Sequence, residues 1–72
     1  MTIEYYVLKT LVMRMTIKDT VLGQYNALHE AWHWSHDEPN REARLRTAPD
    51  VMPVLITHAV VLEWQRMVFP RQ

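Results

Sequence analysis

A chain of 72 residues without a single cysteine has to hold itself together by burial alone, because neither disulfides nor thiolate zinc sites can staple it. At that length there is room for one domain, and the remaining ways to complete a thin core are histidine or carboxylate ligation of a metal or association with another chain. Association is the expected route, as a homodimer.

Charge narrows the partners. Eight basic and eight acidic side chains cancel, and residues 1–36 carry three of each sign against five of each in 37–72. That balance gives no general attraction to nucleic acid or to an anionic membrane. The apolar runs are far shorter than a membrane span, and the start lacks the basic and long apolar regions of a signal peptide, so a cytoplasmic protein is expected.

Hydrophobic spacing suggests an all-α architecture: a helical hairpin of two main helices, in a dimeric bundle. The first helix is expected over 17–34, opened by Thr16 and Asp19 in the manner of a capping box. Its apolar stripe is Val21, Tyr25, Leu28 and Trp32, with Gly23 as a costly interruption. Residues 35–50, SHDEPNREARLRTAPD, read as a charged connector holding a short solvated helix. The second helix is expected over 51–69, with Asp50 as its cap and Pro53 in its first turn. It is apolar around most of its circumference, which again asks for a second copy. A strand over VLITHAVVL is the alternative there. The expected core is Val21, Tyr25, Leu28, Trp32, Leu55, Ala59, Leu62 and Phe69.

Residues 1–14 support two readings, strand or helix. Ile3, Tyr5, Val7, Leu11 and Met13 alternate like a strand, whereas MTIEYYVL at 1–8 and MTIKDTVL at 15–22 agree at five of eight places, an offset of two heptads. Met15 also leaves open a shorter product starting there.

One string carries chemistry. His29-Glu30-Ala31-Trp32-His33 places two imidazoles four residues apart, on one face of a helix, with a glutamate beside the first. It resembles the HExxH motif of the zincin metallopeptidases, a resemblance confined to five residues. It would imply zinc on His29 and His33, with Glu30 as general base. The departures are specific: Ser35 stands where the family has an apolar residue, and positions 36 and 39 are His and Pro where metzincins have Gly and His. A third ligand would have to come from His36, Asp37, Glu38, His58 or Glu63. The other reading is an ordinary helix end, where histidine favours the dipole.

The functional expectation is a small non-enzymatic interaction or regulatory protein, binding another protein through a helical surface with Trp34, Trp64, Arg41 and Arg44 as contact candidates. Accessory proteins of phages and other mobile elements are typically of this size. Two alternatives stand beside it: a zinc protein or minimal hydrolase on His29, His33 and His36, and a nucleic-acid accessory protein contacting phosphates through Arg41, Arg44 and Arg46.

Overall fold

The computed structural model describes residues 1–70. The fold is α+β rather than a helical hairpin: β1 (Thr2–Val7), β2 (Thr10–Thr16), α1 (Val21–Asp37), β3 (Arg41–Arg46), β4 (Val54–Leu55) and α2 (His58–Val68). The four strands form one antiparallel sheet in the order β2-β1-β3-β4. Helix α1 packs across β1 and β3, and α2 packs on α1.

The N-terminal segment is a hairpin. Val7 pairs with Thr10 across a two-residue turn of Leu8 and Lys9, both with positive φ (52° and 65°). That is the backbone of the tight hairpin turn that asparagine and glycine favour, and the strained Leu-Lys pair hides it from a sequence reading. The repeat therefore has no structural counterpart: MTIEYYVL forms β1 and enters the turn, while MTIKDTVL runs from the end of β2 into α1.

Helix α1 starts later than expected. Thr20, in extended backbone, is its cap and accepts a hydrogen bond from the Gly23 N–H at 3.0 Å. A Cβ on Gly23 would lie 2.7 Å from Lys18 Cβ and 2.8 Å from Thr20 Oγ1, so the glycine serves a close approach of the preceding loop. The residues assigned to a connector form instead a central strand. In β3 the small apolar pair Ala43 and Leu45 points into the core, and Glu42, Arg44 and Arg46 point out. The long second helix is likewise shortened. Thr57, not Asp50, caps α2, and Pro53 precedes the short strand β4.

The core sits between the sheet and α1: Ile3, Tyr5, Ala43 and Leu45 from the strands, Leu28 and Ala31 from the helix, closed by Ile17, Ile56 and Val61. Of the eight expected core residues only Leu28 is fully buried, with Tyr25 and Trp32 half-buried; Val21, Leu55, Ala59, Leu62 and Phe69 are exposed. A sheet takes a different helix face from the one a partner helix would take. The face of α1 turned to the strands runs through Leu28, Ala31 and Trp34.

Candidate interaction surfaces

The outer face of the sheet is organised around one carboxylate. Glu4 lies opposite Arg14 on β2 and Arg44 on β3, and its side chain has no solvent exposure although no helix covers that face. Neighbouring side chains close over it. Arg14 Nε donates to Oε2 at 3.0 Å, Arg46 donates from Nε at 3.3 Å to Oε2 and from its Nη2 at 3.3 Å to Oε1, and the Tyr6 hydroxyl donates to Oε1 at 3.0 Å. Burial works to raise the Glu4 pKa, but the bonds from Arg46, Tyr6 and Arg14, with the charge of Arg46, outweigh it and hold the carboxyl below its ordinary value. Burial, and then the bond to Glu4, push the Tyr6 hydroxyl upward, which keeps it a donor. Arg44 takes a different partner, Glu42 at 2.7 Å, and lies over the Tyr6 ring at 4.5 Å. Beside this ladder is an open cavity of about 540 Å³, bordered by Arg14, Arg46, Thr2, Thr16 and Thr47.

The arginines expected to act together are therefore split. Arg44 and Arg46 belong to the outer face and are engaged by Glu42 and Glu4, whereas Arg41 is on the helix side, over Trp34 at 4.8 Å and donating to the Trp34 carbonyl. Sequence reading also missed Glu4 and Arg14. Their only advance signal is that both are the lone charges in otherwise uncharged strands.

HEAWH lies wholly inside α1. The His29 and His33 rings are neighbours, with centroids 4.6 Å apart, as the four-residue spacing requires. No third ligand joins them: among the described residues no group of three or more His, Asp or Glu is placed to hold a metal ion. His36 and His58 turn to Trp32 instead, at 4.6 and 5.0 Å between ring centroids, the His58 ring stacked at 23°. Trp32 thus joins α1 to the start of α2. Glu30 is exposed, and the Asp37, Glu38 and Glu63 side chains are exposed too, away from any such cluster. Trp34 packs edge-on against Tyr5 at 4.9 Å, and Trp64 is half-buried against the core, so both serve the fold.

The exposed apolar side chains form the other distinctive surface. Among the described residues fourteen large ones are exposed, against nine hydrophobic residues buried in the core. Seven lie between Leu8 and Leu22, including Leu11, Val12, Met13 and Met15 on β2; seven lie between Val51 and Phe69. Every residue of β2 is exposed, because α1 covers only β1 and β3. No helix among the described residues is long and apolar enough to cross a membrane. No family model, no curated protein and no solved structure matches the chain.

Proposed function

We propose that this chain is a small non-enzymatic interaction protein of the cytoplasm, which binds another protein through the surface of its C-terminal segment, Val51 to Phe69. The observation that carries the reading is the excess of exposed over buried large apolar side chains, since scattered exposed residues are ordinary but such an excess in so small a chain is a binding surface left open. The exposed large apolar residues of α2 are Leu62 and Met67, Phe69 follows at its C-cap, and Val54 and Leu55 extend the apolar character onto β4.

The test is affinity capture from the producing cells with the wild type, with Leu62→Asp and with the neighbouring control Glu63→Gln. A protein held by wild type and control but released by Leu62→Asp, with unchanged circular dichroism, is the expected result. A capture profile the same for all three overturns the reading.

A further inference from the structure

The cavity beside Glu4 has two kinds of wall. Thr2 lies opposite Thr16 on β2 and Arg46 on β3, one row along from Glu4 on the same outer face of the sheet. With Arg14 these residues form the polar side of the cavity of about 540 Å³, while Met1, Ala48 and Pro49 give it an apolar side. A hollow of that volume, with a few polar groups set against apolar surface, has the ordinary form of a small-molecule site.

The hydrogen bonds of the two arginines say which ligand it suits. In Arg46, Nε and Nη2 donate to Glu4, and Nη1 donates to the Pro49 carbonyl at 3.4 Å and to the Val51 carbonyl at 2.7 Å. Its donors are nearly used up, and they tie the loop carrying Pro49 to the sheet. Arg14 meets Glu4 through Nε at 3.0 Å and Nη2 at 2.9 Å, both to Oε2, and among the described residues its side chain makes no other hydrogen bond. The outer pair of N–H groups, one on Nη1 and one on Nη2, is therefore open at a side chain 56 % exposed. Because Glu4 already fixes the guanidinium, that fork is held in place before any ligand arrives. A guanidinium fork matches the two oxygens of one carboxylate.

Charge selects the same ligand. The side chains of Arg14 and Arg46 against that of Glu4 leave a single net positive charge, which one carboxylate balances. A phosphate monoester carries close to two negative charges. It would exceed that balance beside the Glu4 carboxylate, and it would find a free fork on Arg14 alone.

We infer that this cavity binds a small organic acid, its carboxylate seated on Nη1 and Nη2 of Arg14 beside the Thr2 and Thr16 hydroxyls, and its apolar part against Met1, Ala48 and Pro49. Those residues all lie outside the segment Val51 to Phe69, so the site is separate from the surface proposed above.

The probe is 4-phenylbutyrate, titrated into the whole chain by calorimetry and by amide NMR. Saturable binding is expected with a Kd of about 0.1–1 mM, the range for a ligand of that size in an open site, with shifts concentrated at Thr2, Arg14, Thr16 and residues 46–49. The uncharged 4-phenylbutanol is expected to bind about tenfold more weakly or worse, as is the acid to Arg14→Ala. Arg14→Lys, which keeps the charge but loses the fork, is expected to fall between wild type and Arg14→Ala; both variants should keep the circular dichroism of the wild type. No saturation up to about 10 mM acid, an alcohol that binds as well as the acid, an Arg14→Ala variant that binds like the wild type, or inorganic phosphate bound more tightly than the acid would each overturn the proposal. A peptide with a free terminal carboxylate that binds where 4-phenylbutyrate does not would also overturn it, giving the fork to a chain end instead. None of these outcomes bears on the Leu62→Asp capture, so the two readings stand or fall separately.

Discussion

Glu4 shows how much a single side chain can organise. Removing a carboxylate from under two guanidiniums that themselves reach solvent loses its hydrogen bonds without stranding a buried charge, so Glu4→Ala is expected to lower stability by about 1–2 kcal/mol, while Arg14→Ala, at a side chain 56 % exposed, costs less than about 1 kcal/mol; urea unfolding of both variants checks the contrast. The pH dependence follows from the same contacts. Because the folded pKa lies below the ordinary value of 4.5, the contribution of Glu4 is fully present above that pH and drains away as the pH falls below it. Acid titration of the wild type should therefore show a loss of stability below pH 4.5 that Glu4→Gln lacks. Gly23→Ala, which helix propensity alone would favour, is expected to destabilise by about 1 kcal/mol, since the new Cβ meets Lys18 and Thr20; its thermal midpoint decides the sign. His29 and His33 were legible as a neighbouring pair from spacing alone, and two imidazoles without a third ligand hold zinc weakly. Elemental analysis after purification without chelators should find well short of a full zinc per chain. Stoichiometric zinc lost in His33→Ala would favour the zinc-binding alternative instead.

Among the elements, the β1–β2 hairpin carries the strain. Leu8 and Lys9 occupy left-handed backbone at about 1–2 kcal/mol each, a conformation that asparagine and glycine adopt more easily. The double variant Leu8→Asn, Lys9→Gly should raise stability by about 1–2 kcal/mol with unchanged far-ultraviolet circular dichroism; a drop would mean that the Leu8 side chain packs against something the isolated chain does not show. Strand β3 explains the largest departure from the sequence reading. Its alternation rests on only Ala43 and Leu45, and its charged positions look like a solvated connector until Glu4 and Tyr6, some forty residues earlier, are placed beside them. Helix α1 was legible as a helix because its periodicity is local, but its facing partner was not.

For the molecule as a whole, the open β2 edge leaves one strand of the sheet without cover. The chain is thin for its length, with extents of 41 × 27 × 17 Å, and two layers leave one side of β2 without cover.

Taken alone, the amino-acid sequence determined the limits: no disulfide, no net charge, and a helix through HEAWH. Those properties are sums or local periods, which a linear chain displays directly. Only the tertiary structure decided that the helix packs on a sheet, that the arginines divide between its two faces, and that the uncovered surface includes a strand edge. Strand pairing joins residues far apart in the chain, and the side a residue faces depends on which distant strand it is registered against.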